Sequence, residues 1–295
     1  MQRPDLPAWR SLLFVPVIVE RFVAAAHKRG ADGIILDLED SVPEAEKARA
    51  RGLIHADAER VGRWGTDVLV RINRPWRHAW RDIEAAVGPG VKGLVCPKTE
   101  SAEQLQMIAE MLGDLEAERK LPRGHTRLVA MIETAGALFR APEIANATAR
   151  LVAMMLGAED FALSVGMEPL AEALQAPSQM VIIAARAAGI LPLGFMGTVA
   201  DYKDLDTFRA TVRRSRRFGF LGAACIHPAQ VPVLNEEYGP QAVEVARAER
   251  MIAAYDAAVA RGAGAVEFEG RMIDVPVVER TRRALAHAAR FRNRN

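Results

Sequence analysis

Eight short apolar runs, most of them separated by helix-like stretches, constrain this chain more than any other feature. They are Ser11–Pro16, Gly33–Leu38, Asp67–Asn73, Gly93–Lys98, Arg127–Glu133, Arg150–Leu156, Ile190–Phe195 and Leu221–Ile226. Apolarity within them is continuous rather than alternating, which suits strands covered on both faces. Strands that alternate with helices imply right-handed parallel crossovers. Eight such units point to a closed α/β barrel of the TIM (β/α)8 type, and a doubly wound open sheet satisfies the same pattern. A chain of 295 residues holds one such barrel with material to spare.

Helices are expected from about Glu20 to Lys28 (stopped by Gly30), from Pro43 to about Glu59, around Trp80–Val87 and from Ala102 to about Lys120. Ser41, Ser101 and Asp206 read as helix N-caps. After Pro228 the character changes. Gln241–Ala260 reads as one long amphipathic helix, broken at Ala263-Gly264. Val266–Ile273 reads as a hairpin turning at Glu269-Gly270, and a last helix runs from about Pro276 to Phe291. The expected organisation is a barrel over 1–228 and a C-terminal helical and hairpin extension over 229–295, which exceeds what closing a barrel needs and can reach another subunit.

The 39 basic and 37 acidic residues nearly balance, so whole-molecule charge gives no argument for nucleic acid or a membrane surface. Cys96 and Cys225 lie far apart in apolar runs and read as buried small hydrophobes rather than a metal or disulfide framework. Neither a signal peptide nor an apolar membrane-length segment is read, so a soluble cytoplasmic protein is the default expectation.

Polar residues collect where the apolar runs end. The second run leads into Asp37-Leu-Glu-Asp40, the third carries Arg71 and Asn73, and the fourth ends in Pro97-Lys98. The fifth ends in Glu133-Thr134, the sixth leads to Gly157-Ala-Glu-Asp160, and the eighth leads to His227. In a barrel these ends share the face on which active sites form. Glu133 and Asp160 end consecutive strands, and a hard cation such as Mg²⁺ takes one or two carboxylates plus water and substrate oxygens. Two acids capping the helices that follow fit the spacing equally well. No His/Cys cluster favours zinc or a redox metal. Glu39 and Asp40 are candidates to orient metal-bound water, with a helix cap the alternative for Asp40. Arg71, inside a buried run, needs a partner, and its fork suits a carboxylate, either a substrate's or that of Glu133. Lys98 reads as a contact for anions at the barrel mouth or as a snorkelled surface lysine. His227 reads as a general base or, more simply, as a turn histidine.

Taken in order, Arg10–Pro16, Ala31–Ser41, Val70-Arg-Ile-Asn73, Pro97-Lys98, Ile132-Glu-Thr-Ala135, Gly157-Ala-Glu-Asp160, Cys225–Val231 and Gly270–Pro276 form a series. It resembles the citrate lyase beta-subunit-like branch of the HpcH/HpaI aldolase family, whose members include malyl-CoA and citramalyl-CoA lyases. The resemblance spans about residues 10 to 290. It implies a TIM barrel, Mg²⁺ held by Glu133 and Asp160, and Arg71 gripping the carboxylate of a small oxo- or hydroxy-acid. It also implies that Asp274 acts as acid/base in a neighbouring subunit's site, within a homotrimer or homohexamer. The activity implied is carbon–carbon cleavage or formation in a 3-hydroxyacyl-CoA thioester.

Four positions depart from the family pattern. Val17-Ile-Val-Glu20 follows Pro16, Gly136 follows Ala135, Ala223 follows Gly222, and Met196-Gly197 follows the seventh run. Three of these remove a basic residue near the expected entrance, which weighs against CoA recognition more than against metal binding. Besides a CoA-thioester lyase, the chain therefore fits a thioesterase of the same family, an aldolase acting on free hydroxy-oxo acids, or a non-catalytic metal- and acid-binding barrel.

Overall fold

The computed structural model describes residues 5–198 and 203–291. The chain divides into two compact units, 1–238 and 239–295. The helix Gln230–Tyr238, expected in the extension, belongs to the first unit, where it packs on the strand Ser11–Pro16 and on the helix Leu205–Phe218.

The first unit is built on eight parallel strands: β1 (Ser11–Pro16), β2 (Gly33–Asp37), β3 (Asp67–Arg71), β4 (Gly93–Cys96), β5 (Arg127–Ile132), β6 (Leu151–Leu156), β7 (Leu191–Leu193) and β8 (Ala223–Cys225). Their order is β7-β6-β5-β4-β3-β2-β1-β8. A parallel bridge between Leu193 and Gly222 joins the two ends, reinforced by Gly194 N–H donating to Gly222 O at 2.8 Å and Leu221 N–H to Pro192 O at 3.0 Å. The sheet therefore closes on itself, and the open-sheet alternative falls away. Gly222 is required at this seam, because a Cβ there would lie 2.0 Å from the carbonyl oxygen of Trp9.

Side chains alternate across the barrel wall, as strand geometry demands. Leu12, Ile35, Leu69, Val95, Val129 and Ala153 fill the interior, while Leu13, Ile34, Val70, Leu94, Ala130 and Met154 pack outward under the helices. Both sets are buried, which explains why the runs read as continuously apolar. Trp9 plugs the N-terminal end, its indole N–H donating to Asp67 at 2.8 Å. Beside it Arg10 grips Asp32 through Nε and Nη2 at 2.9 and 2.7 Å, which ties the start of β1 to that of β2.

The expected helices are present with shifted ends. The second opens with a 3₁₀ turn, Glu44–Glu46, before the helix Lys47–Gly62, and the third spans Trp76–Ala86. Ser101 caps its helix by accepting from Gln104 N–H. Ser41 does not cap; its hydroxyl donates to Asp37 instead. The cap read at Asp206 belongs to Asp204, which accepts from Thr207 N–H at 3.0 Å.

The second unit holds the helix Gln241 was expected to open, observed as Ala242–Val259, the hairpin β9 (Val266–Phe268) and β10 (Arg271–Ile273), and the helix Val275–Ala289. Glu269 and Gly270 turn the hairpin with φ of 50° and 76°, the paired positive values of a two-residue turn that matches strand twist. Met251, Tyr255, Ile273 and Val278 form a buried apolar cluster within it.

Glu116 stabilises the N-terminal end of β5 and β6. It is buried, accepts from the N–H groups of Gly124 and Thr126 at 2.8 Å each, and meets Arg150 Nη1 and Nη2 at 2.7 and 2.8 Å. Burial pushes its carboxyl upward, yet Arg150 and the two amides outweigh that and hold it below its ordinary value of 4.5. Glu116→Ala strands Arg150, so urea denaturation at pH 7 should show a loss of about 3–5 kcal/mol. The native contribution is complete above the ordinary value of 4.5 and is lost as pH falls through the depressed folded value. The gap between variant and wild type should therefore narrow in acid.

Candidate active site

The alternation that fills the barrel also delivers the site. Two residues beyond the inward Ile35 stands Asp37; two beyond Leu69 stands Arg71; two beyond Met131 stands Glu133. Asp37 and Arg71 are register partners on β2 and β3. All three line a cavity of about 450 Å³ together with Phe14, Asp40, Gly157, Glu159, Asp160, residues just beyond β7 and Ala224 of β8.

Arg71 is almost wholly enclosed by acids. Its Nε and Nη2 donate to the two oxygens of Asp37, both at 2.7 Å, while Nη1 lies 2.9 Å from Glu39 and 3.2 Å from Asp40. Its guanidinium stacks over Phe14 at 4.8 Å. Burial works against the charge, but the acids overcome it and raise Arg71 far above its ordinary value. Asp37 is in turn depressed: burial pushes it up, and Arg71 pulls it down further, aided by Ser41 and the Glu39 amide. Of the two carboxylates expected for Arg71, a substrate's or that of Glu133, the second is corrected: its protein partners are Asp37, Glu39 and Asp40. Asp37 was not singled out from the sequence, although its place two residues beyond Ile35 was the signal.

Glu133 is 2 % exposed, and the amide of Lys98 donates to its Oε2. Lys98 holds φ at 46°, a left-handed conformation that side chains disfavour and that tends to gather at functional sites. Gly157 makes room for this carboxylate, because a Cβ there would sit 2.5 Å from Glu133 Cγ. Glu133 is not a helix cap, for Thr134 caps the helix Ala135–Phe139. Asp160 lies in the first turn of Ala158–Val165 without serving as its cap residue. Lys98 is no snorkelled surface lysine. Its ammonium lies 2.8 Å from Glu39 and 3.8 Å from Asp160. Asp40 is likewise engaged with Arg71 rather than with a helix end.

Six sequence-derived residues, Glu39, Asp40, Arg71, Lys98, Glu133 and Asp160, thus converge with Asp37. His227 does not join them. It is exposed, its Nδ1 accepts from Ala229 N–H at 3.2 Å, and Ile226 rather than His227 lines the cavity, in keeping with a turn histidine. Asp274 belongs to the second unit, where it caps Val275–Ala289 by accepting from Val277 N–H.

Among the described residues no group of three or more His, Cys, Asp or Glu is arranged to hold a metal by itself. What the site offers is two hard carboxylates on one cavity, Glu133 and Asp160, with open space for water and substrate oxygens. This donor set fits Mg²⁺, which completes its octahedron with such oxygens. A buried carboxylate with one backbone donor also wants a cation. Burial, opposed by the Lys98 amide and ammonium, pushes the Glu133 carboxyl up to about 7. The metal-free folded state consequently holds a proton that the unfolded chain releases near 4.5, so stability falls as pH rises from there through 7. Glu133→Gln should stabilise the metal-free protein at pH 8, by on the order of 3 kcal/mol, and leave it unchanged at pH 4. Chemical denaturation at the two pH values checks this, and an equal effect at both would contradict the assignment.

Comparison with known proteins agrees with this geometry. Residues 10–228 match the model of the HpcH/HpaI aldolase/citrate lyase family. The citrate lyase subunit beta of Leuconostoc mesenteroides subsp. cremoris is 33% identical over 94% of this chain and 92% of its own length. A (3S)-malyl-CoA thioesterase of Cereibacter sphaeroides is also 33% identical, over 95% of this chain and 94% of its own. The crystal structure of the protein CitE from Mycobacterium tuberculosis, in complex with magnesium, acetoacetate and coenzyme A, superposes with a TM-score of 0.74 at 31% identity, covering 96% of this chain and 98% of that one. The chain is a TIM-barrel enzyme belonging to the HpcH/HpaI aldolase/citrate lyase family, a family of lyases.

Proposed function

We propose that this protein is a Mg²⁺-dependent carbon–carbon lyase that cleaves, or in reverse forms, a 3-hydroxyacyl-CoA thioester of malyl, citramalyl or citryl type. The observation that carries this reading is the shared cavity: Glu133 and Asp160 on one wall, and the Arg71–Asp37 pair on the other. Relatives named citrate lyase subunit beta, and the magnesium and coenzyme A bound to the M. tuberculosis relative, support it.

Mg²⁺ held by Glu133 and Asp160 would supply Lewis-acid stabilisation of the negative charge that develops on the substrate's oxygens. The chain's own groups do the rest. Asp37 fixes the plane of the Arg71 guanidinium through two hydrogen bonds, and Glu39 and Asp40 hold Nη1. That leaves a second Nη2 proton for one carboxylate oxygen of a bound oxo- or hydroxy-acid. Phe14, Met131 and Met155 exclude water around it, which strengthens each polar contact. Glu39 receives both Lys98 and Arg71 and keeps the local charge near balance. Asp274 of a neighbouring subunit is assigned the acid/base step, removing a proton from the acetyl-type carbon in the condensation direction. Such a shared site requires an oligomer, and the resemblance implies a homotrimer or homohexamer.

A thioesterase is the second reading, favoured by the (3S)-malyl-CoA thioesterases among the relatives. Incubation with Mg²⁺ and a panel of 3-hydroxyacyl-CoA esters, with products resolved by mass, separates the two. Acetyl-CoA plus glyoxylate or pyruvate marks the lyase, and free CoA plus intact hydroxy-acid marks the thioesterase. Cleavage of free hydroxy-oxo acids alone would sink both in favour of an aldolase. Asp160→Ala should abolish Mg²⁺-dependent turnover, with a circular-dichroism melt showing that the barrel still folds; unchanged turnover would refute the metal assignment. Mixing Asp274→Ala with Arg71→Ala under conditions of subunit exchange should restore part of the activity, since one kind of mixed site regains both residues.

A further inference from the structure

Lys47 stands where a lysine is least expected. Its residue is 9 % exposed, and it is the first residue of the helix Lys47–Gly62. Burial disfavours an ammonium, and so does the positive end of a helix dipole. No carboxylate within salt-bridge distance compensates it among the described residues. Instead Nζ donates to two backbone carbonyls, Leu38 O and Glu39 O, both at 2.7 Å.

Those carbonyls belong to the segment that carries the acids of the site. Leu38 O also accepts from Asn73 Nδ2 at 2.9 Å, and Asn73 is anchored through its amide N–H and its side chain to Asp82, at 2.7 Å each. Asp82 is fully buried and is held by Arg51 Nε at 2.6 Å. A polar clamp behind the barrel wall therefore grips the two peptide groups at which β2 turns from Asp37 towards Glu39. Released, those peptides would let the Glu39 side chain leave Arg71 and Lys98.

We propose that Lys47 is a positioning residue: it holds the segment 38–40 in the geometry that sets Glu39 against Arg71 and Lys98, and so readies Arg71 for a substrate carboxylate. The second half of this statement rests on the acid-binding role proposed above. The clamp is specific in its reach, since it acts on the ends of β2 and β3, whereas Glu133 and Asp160 are carried by the ends of β5 and β6.

Lys47→Met keeps the length and removes the donor; Lys47→Arg keeps a donor. Two measurements on the full chain decide the matter: amide hydrogen exchange over 38–42, and calorimetric binding of Mg²⁺ and then of pyruvate. For Lys47→Met we expect exchange over 38–42 at least tenfold faster, with the strands β5 and β6 unchanged. We also expect pyruvate affinity at least tenfold weaker and Mg²⁺ affinity within twofold of wild type. Lys47→Arg should recover part of both losses. Unchanged exchange over 38–42 overturns the proposal whatever happens to binding. Faster exchange throughout the barrel, or equal weakening of Mg²⁺ and pyruvate, overturns it in favour of a general structural role. Faster local exchange with unaltered pyruvate binding refutes the link to the site. If the wild type binds no pyruvate with Mg²⁺ present, the acid-binding reading fails, and the exchange result alone upholds or overturns the clamp.

Discussion

The bidentate pair between Asp37 and Arg71 is the interaction on which the site depends. An arginine facing the interior of a barrel is tolerable only if its charge is met at once, and an adjacent strand in register is the nearest place to meet it. Pairing at 2.7 Å through two parallel hydrogen bonds also fixes the guanidinium plane. With Arg71 fixed, Glu39 and Asp40 have a cation to approach, Lys98 has Glu39, and the Lys98 ammonium stands near Asp160. The pair on β2 and β3 is thereby linked through Glu39 to the lysine that stands near Asp160.

This ordering explains why the two ends of the site differ in electrostatic character. At β2 and β3 opposite charges meet with matched geometry, so Asp37 stays ionised and Arg71 stays charged. At β5 and β6 a buried carboxylate is left with one backbone donor and a partly exposed lysine, so Glu133 is pushed towards neutrality. A folded chain that keeps such a group tolerates a local instability, and the left-handed Lys98 beside it adds to that cost. Both features fit a place where a cation is the missing partner. They stand in contrast to Glu116 at the opposite end of the barrel, where four donors satisfy the carboxylate.

The sequence made the barrel legible because continuous apolar runs reflect strands buried on both faces. It offered Glu133 and Arg71 as candidates because they lie at or near the ends of such runs, and Asp160 because it follows one by four residues. Short β7 and β8 were drawn too long, since apolar residues on either side of a three-residue strand carry the same signal. Caps were less legible. Ser41 sits before a helix and looks like a cap, yet Asp37 lies four residues back and captures its hydroxyl. Partners across the barrel were the least legible of all. Arg71 had several acids within reach of any reasonable reading, and only strand register selects Asp37 over Glu133. Lys98 was ambiguous for the same reason: which way a lysine turns depends on what stands opposite, and Glu39 is far away along the chain.

The departures from the family pattern gain a physical meaning here. Gly136 stands where the resemblance leads to the expectation of a basic residue, and the nearest atoms to a Cβ built there are the guanidinium nitrogens of Arg140, the closest at 3.3 Å. Arg140 in turn holds Glu100 through its backbone oxygen and carboxylate at 2.6 and 2.9 Å. A cation is therefore present beside position 136 even though the residue at 136 is not basic. It reaches that place from one helical turn further on, and its charge is already engaged by Glu100. The loss of a basic residue from the sequence position is thus not a loss of positive charge from the region. What changes is its availability: a guanidinium held by Glu100 is less free to meet a phosphate than one that extends into solvent.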